Sequence, residues 1–167
     1  LRHFLPADCT WWGHEPCASF QLNAQDESRK AMPHSPLLPL PWPDDSVDVA
    51  LCIAGAHHME DKRCLFRELH RVVKPGGRFV LSDVPVDSAV AHFLDGYVGD
   101  NNSTGHTGFF LCADTLNELR ESGWQVASSE IINFHWVFDD AESMGDFCNS
   151  LFDIVHATTT DTIKSIE

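Results

Sequence analysis

Two adjacent histidines, His57 and His58, follow an apolar run that closes with the small residues Ala54-Gly55-Ala56. An imidazole titrates near pH 6.5, so either ring is suited to orient a substrate hydroxyl or to take its proton near neutrality. A third histidine, His106, stands between Gly105 and Gly108 in a polar stretch, where a moving loop could carry it over a substrate. These three are the candidate catalytic residues. The plainer readings compete: one of the pair packs on a pocket wall, the other caps a helix, and His106 sits in a solvated turn. Asp83 closes a second apolar run and either faces the same pocket or caps the next segment. No metal is expected. Neighbouring side chains of an extended chain point to opposite sides, and no further Cys or His stands at ligand spacing beside the pair.

The elements that must position these residues are legible around them. Val47 to Ala54 (VDVALCIA) carries one charge and reads as a buried strand. Asp61 to Val73 sets Cys64, Leu65, Leu69, Val72 and Val73 at helical spacing, and Lys74-Pro75-Gly76-Gly77 ends that helix. Arg78 to Ser82 is the next apolar strand. Two near-continuous apolar strands joined by a helix make a βαβ unit with a buried parallel sheet. Ligands of such sheets lie outside the carboxyl ends of the strands, which here carry Ala54 to His58 and Ser82-Asp83.

Elsewhere Arg2 to Leu5 reads as a last helical turn, Thr10 to His14 as a short strand and Ala18 to Met32 as a helix. Five prolines between 33 and 43 demand extended chain. Ser88 to Tyr97 is a short helix followed by a long polar loop, with Phe93 and Tyr97 on its apolar face or in the pocket. Ala113 to Ser122 is a helix with Leu116 and Leu119 inward. Trp124 to Phe138 is rich in β-formers and reads as a long strand or a bent pair. Ala141 to His156 is amphipathic, and Trp136, Phe138, Phe147, Leu151 and Phe152 read as core or as a cover over substrate. The polar, Thr-rich tail from Ala157 carries no clear assignment. This alternation is the pattern of a doubly wound α/β fold, mostly parallel, with helices on both faces.

At 167 residues the chain is long enough for one domain with a real core. Its net charge of −14 argues against nucleic acid or an anionic membrane surface and favours a neutral or cationic small molecule. The six cysteines form no C-x-x-C pair and read as reduced core residues, which points to a cytoplasmic setting. No apolar run is long enough to span a bilayer. The first residues lack both a signal-peptide core and a Met, which reads as a chain cut upstream. Oligomeric state leaves no signal.

Leu40-Pro41-Trp42-Pro43-Asp44-Asp45-Ser46-Val47-Asp48-Val49, then His57-His58-Met59-Glu60-Asp61, Leu69-His70-Arg71-Val72-Val73 and Lys74-Pro75-Gly76-Gly77-Arg78-Phe79, resemble in order and spacing the class I S-adenosylmethionine-dependent methyltransferases of the small-molecule type. Trp12-Gly13-His14-Glu15-Pro16 resembles more weakly the strand of that family that ends in an acid. The resemblance implies a Rossmann-like sheet, S-adenosylmethionine as cofactor and methyl transfer to a small-molecule acceptor. It implies that Glu15 accepts hydrogen bonds from the ribose hydroxyls. It also implies that Ala54, Gly55, Ala56 and His57 lie against the methionine part of the cofactor. The family's first strand and glycine-rich loop would precede Leu1, so the resemblance implies a sheet incomplete at the N-terminus. Ser35-Pro36-Leu37-Leu38 fill the place of an acid usual near the adenine. The whole chain, 1–167, reads as one methyltransferase-like domain with a substrate-side insert at 85–110 and a C-terminal helical extension at 139–167. Two other readings stay open: a non-catalytic relic or subunit acting through protein interaction, and, less favoured, a nicotinamide-dependent oxidoreductase.

Overall fold

The computed structural model describes residues 8–16, 30–31 and 36–166. Its centre is the expected βαβ unit. Strand β3 (Val47–Ile53) and strand β4 (Val73–Ser82) are parallel neighbours, joined by helix α1 (Arg63–Val72). Strand side chains alternate between faces. Ala50 lies opposite Phe79 and Cys52 opposite Leu81, and these four pack against Leu65, Phe66, Leu69 and Val72 of α1. Phe66 and Val72 are fully enclosed, and burial of such side chains contributes about 1.5–3 kcal/mol each. Cys64, expected on this stripe, is exposed. The buried arc is centred between Leu65 and Leu69, and Cys64 lies one residue outside it.

The opposite face of the pair carries Val49, Leu51, Ile53 and Val80, each about half exposed. Among the described residues, then, helix covers one face of β3 and β4, where both faces were expected to be covered. The short strands β1 (Trp12–Gly13) and β2 (Lys30–Ala31) form a second parallel pair. Lys30 and Ala31 fall within the stretch read as a helix from Ala18 to Met32, so its end is strand instead. Residues 17–29, like Arg2 to Leu5, lie outside the described residues.

Lys74 to Gly77, expected as a turn, belongs to β4. It bulges between the Val47–Val73 and Val49–Arg78 pairs. The two glycines serve it differently. Gly76 has φ +77°, a left-handed value that glycine tolerates. At Gly77 a Cβ would lie 2.7 Å from the Asp48 carbonyl oxygen, so only a bare backbone fits. From residue 36 on, the proline-rich stretch is loop, as expected, and is strapped to α1; residues 33–35 lie outside the described residues. Leu40 is buried, its N–H donates to Glu68, and Arg71 donates to the carbonyls of Leu40 and Trp42 and to Asp44 and Glu68. The Asp45 and Ser46 N–H groups satisfy the Arg71 and Val72 carbonyls that the helix end leaves open.

Helix α2 (Ala89–Phe93), capped by Ser88, continues through a π-helical stretch (Leu94–Val98) to a last turn (Gly99–Asn101). Helix α3 (Ala113–Glu121) buries Thr115 and Glu118, while Leu116 and Leu119 are only partly buried. Residues 124–138 form no strand. Ile131, Ile132, Phe134 and Val137 are exposed. β-forming side chains without a neighbouring strand to pair with do not make a ladder. Helix α4 (Ala141–Leu151) starts at an Asp140 cap and packs on helix α5 (Thr159–Ile166), which forms in the Thr-rich tail. Of the residues read as core or cover, Trp136, Phe147 and Leu151 are about half exposed, though Trp136 and Phe138 both contact Phe147. Leu94, Val98 and Ile154 make a second small core, with Phe93, Tyr97, Phe110 and Phe152 around it. No described helix is long and apolar enough to cross a membrane.

Candidate functional site

The site is built where β3 and β4 end. The Ala54 N–H still bonds to the Ser82 carbonyl at 2.8 Å, but Ala54 itself has φ +51°. That left-handed value turns the chain out of the sheet at a cost of roughly 1–2 kcal/mol for a residue with a Cβ. A 3₁₀ turn comes next, at Ala56–His58. Asp83, the first residue past β4, secures it. Its carboxylate accepts from the N–H groups of Ala56 (2.8 Å), His57 (3.1 Å) and Val84 (2.8 Å) and from His57 Nδ1 (2.7 Å). Asp83 thus reaches back to the histidine turn and also accepts from the N–H of the residue that follows it.

His106 arrives from the insert. Its Nδ1 donates to Asp95 Oδ1 at 2.8 Å, and the same oxygen accepts from the Gly108 N–H at 2.8 Å. Asp95 lies on the π-helical stretch, a distortion that often accompanies functional sites. The loop is joined to the histidine turn by the Phe109 N–H, which donates to the His57 carbonyl at 2.7 Å. Lys62, almost fully buried, clamps both pieces by donating to the carbonyls of Met59 and Phe109. Two chain segments therefore bring three imidazoles together. The His57 and His58 ring centres are 4.1 Å apart, and each lies 5.5 Å from that of His106. A ring nitrogen from each lies within 4.8 Å of the other two. Strand-like alternation, expected to part His57 from His58, does not operate here. The pair sits on a 3₁₀ turn, where successive side chains step about a third of a turn. Phe110 stacks on His57 at 5.8 Å.

Burial alone would raise the Asp83 carboxyl, but the His57 hydrogen bond and the backbone donors hold it below the ordinary aspartate value. An ionised Asp83 can only accept, so the His57 ring presents an Nδ1–H to it. His58, though exposed, is partly desolvated by its surroundings, and this together with its two histidine neighbours holds it below its ordinary value. Burial, then the Asp83 charge, pushes the nearby Cys52 thiol up to about 11.

The structure thus places His57, His58 and His106 at one point. Ala54 and Gly55 form an exposed ledge beside them, and Ala56 is buried. Glu15 comes just after β1, in the other two-stranded sheet. Phe93 contacts Phe152, and Tyr97 bonds Thr162. The cysteines in the described residues are free, but only Cys148 is fully buried. Asp95 and Lys62 are site residues that sequence reasoning missed. Neither has a local signal, because Asp95 meets His106 and Lys62 meets Phe109 only through the fold. A separate groove of about 540 Å³ opens beyond Phe109, with Glu60, Asp114, Glu118 and Glu121 on its walls. Arg63 neutralises part of that charge by pairing with Glu118 and Glu121.

Residues 6–81 match the family model described as a methyltransferase domain. The uncharacterized methyltransferase YcgJ of Bacillus subtilis is 45% identical over 34% of this chain and 23% of its own length. The 27-O-demethylrifamycin SV methyltransferase of Amycolatopsis mediterranei is 37% identical over 66% of this chain and 41% of its own length. A crystal structure from Thermotoga maritima, a SAM-dependent methyltransferase and possible histamine N-methyltransferase, superposes with a TM-score of 0.59 at 19% identity. It covers 68% of this chain and 55% of that one, and this likeness concerns the fold, which is Rossmann-like. The chain spans less than half the length of the curated relatives named here. Over these stretches the chain is similar to S-adenosylmethionine-dependent methyltransferases.

Proposed function

We propose that this domain binds S-adenosylmethionine and transfers its methyl group to a small, neutral or cationic acceptor. The observation that carries this reading is the coincidence of two independent facts. The family match runs through the βαβ unit, and a converging set of imidazoles stands at the carboxyl ends of its strands. The fit to the cofactor rests on the ledge. A Cβ placed on Gly55 would have nothing nearer than the Ile53 carbonyl oxygen at 3.9 Å, so the backbone there is open to close approach. Ala54, Gly55, Ala56 and His57 would hold the methionine part, and the Glu15 carboxylate would take the ribose hydroxyls. Bound S-adenosylmethionine would supply a methyl group already activated on a sulfonium. The chain's own work is to hold the acceptor atom in line and to receive its proton. His57, His58 and His106 are placed for that work. Asp83 and Asp95 fix the tautomers of His57 and His106.

The insert 85–110, which delivers His106, is the acceptor side of the domain, and 139–167 is a helical extension that braces it. The open apolar face of β3 and β4 supports a doubly wound sheet, with a second helical layer against it. An acceptor among small metabolites agrees with a relative named for methylating 27-O-demethylrifamycin SV. The charge of −14 favours an acceptor that is neither nucleic acid nor membrane, and the free cysteines of the described residues agree with a reducing, cytoplasmic setting. Calorimetric titration with S-adenosylhomocysteine and, separately, with NADH tests the cofactor. Binding of the first and not the second is expected, and the reverse overturns the reading. Transfer of labelled methyl to a panel of hydroxyl, amine and thiol acceptors then assigns the atom.

A further inference from the structure

We propose that His57, His58 and His106 form a binding site for a divalent transition metal of the zinc class, with a fourth coordination position open. Three observations lead there. The first is the donor set: three imidazoles from two chain segments, one ring nitrogen of each within 4.8 Å of the others. Three histidines plus one open position are a recurrent arrangement of catalytic zinc. Zinc–nitrogen bonds of about 2.0–2.1 Å put ligand nitrogens roughly 3.4 Å apart. The ring nitrogens therefore need to close by up to about 1.4 Å, and the exposed His58 side chain has the freedom to do so.

The second observation is the shell behind the ligands. Metal-binding histidines characteristically donate their other ring nitrogen to a carboxylate, which fixes the tautomer and raises the basicity of the ligating nitrogen. Two of the three do so here, His57 to Asp83 at 2.7 Å and His106 to Asp95 at 2.8 Å. A proton-removing dyad needs one such pair. A second carboxylate–histidine pair, built from another element and beside the first, is what a cation site calls for. The third is rigidity. Asp83 and Asp95 also accept backbone N–H groups of the segments that carry their histidines, and the Phe109–His57 backbone bond and Lys62 join those segments. His57 and His106 are held in place before any ion arrives, and His58 is the ligand that moves.

The open position would face an acceptor heteroatom, a placement that depends on the methyltransferase reading; the metal site itself stands without it. The test uses the purified chain, stripped with a chelator and titrated with Co²⁺ and then Zn²⁺. One ion per chain is expected, with the intense visible d–d absorption of four-coordinate Co²⁺ and displacement by Zn²⁺. His58→Ala, an exposed position whose loss leaves the fold intact, is expected to weaken binding at least 100-fold, and His106→Ala likewise. Asp95→Asn is expected to weaken it about 10- to 100-fold. His135→Ala, at an exposed histidine outside the cluster, is expected to leave it unchanged. Far-UV circular dichroism checks that each variant is folded. Three results would overturn the site: no saturable binding, equal loss in the His135 variant, or a thiolate charge-transfer band placing the ion on cysteines. Failure of metal binding with S-adenosylhomocysteine binding intact rejects this site and spares the methyltransferase reading; the converse result does the opposite.

Discussion

Deleting the Asp83 side chain would strand the N–H groups of Ala56, His57 and Val84 together with the His57 ring. Unmade hydrogen bonds at buried groups cost about 1–3 kcal/mol each. Asp83→Ala is therefore expected to lose about 3 kcal/mol or more in urea unfolding, even though no apolar surface is removed. Gly55 makes the opposite case. Its side-chain position is open, so Gly55→Leu is expected to change stability by less than about 0.5 kcal/mol. The same substitution should weaken S-adenosylhomocysteine at least tenfold in calorimetry, and unchanged affinity would move the cofactor off this ledge. At this scale the sequence offered the reactive types and not their partners. His57 and His58 stand out because they come at the end of a strand, and His106 because glycines flank it. Asp95 and Lys62 have no such mark, and the convergence of the three rings depends on a 3₁₀ turn that the apolar pattern does not encode.

The strap between the proline segment and α1 gives the elements a pH dependence. Hydrogen bonds from Arg71 hold the Glu68 carboxyl below its ordinary value; burial opposes them, and the Leu40 N–H adds to them. A carboxyl depressed in the folded state stabilises fully above its unfolded pKa, about 4.3, and that contribution disappears as pH falls through the folded value. Wild-type stability is expected to fall more steeply than that of Glu68→Gln below pH about 4.5, with urea unfolding across the acid range as the measurement. Parallel slopes would show that the strap contributes nothing. The strands and α1 were legible because β3 and β4 carry near-continuous apolar runs and α1 carries one stripe. The α5 helix carries a signal that apolar periodicity overlooks: Thr158 and Asp161 bond each other's backbone N–H groups, a capping-box arrangement in the Thr-rich tail. The stretch 124–138 misled because propensity reports on side chains, whereas a strand also needs a neighbour to bond.

Across the whole molecule, a charge of −14 opposes association at neutral pH, while the face of Val49, Leu51, Ile53 and Val80 is about half exposed among the described residues. That repulsion vanishes near the isoelectric point of about 4.9. Light scattering is expected to show a solubility minimum there, with recovery on both sides. A protein equally soluble through pH 4.9 would mean that the face is covered in solution. Alternation of strands and helices announced the Rossmann-like class, but nothing in the order of elements told how much of the sheet would be clothed.

The wide turn at Leu94–Val98 has an evolutionary corollary. A π-helical turn differs from an α-helical one by a single extra residue in the register. Losing one codon from this stretch would restore the ordinary winding and swing upstream and downstream positions relative to each other by roughly 100°. Asp95 and the Gly99 backbone, against which the His106 main chain rests, would then part company. Homologues with a shortened stretch should therefore have lost the third imidazole as well, so that helix length and His106 come and go together.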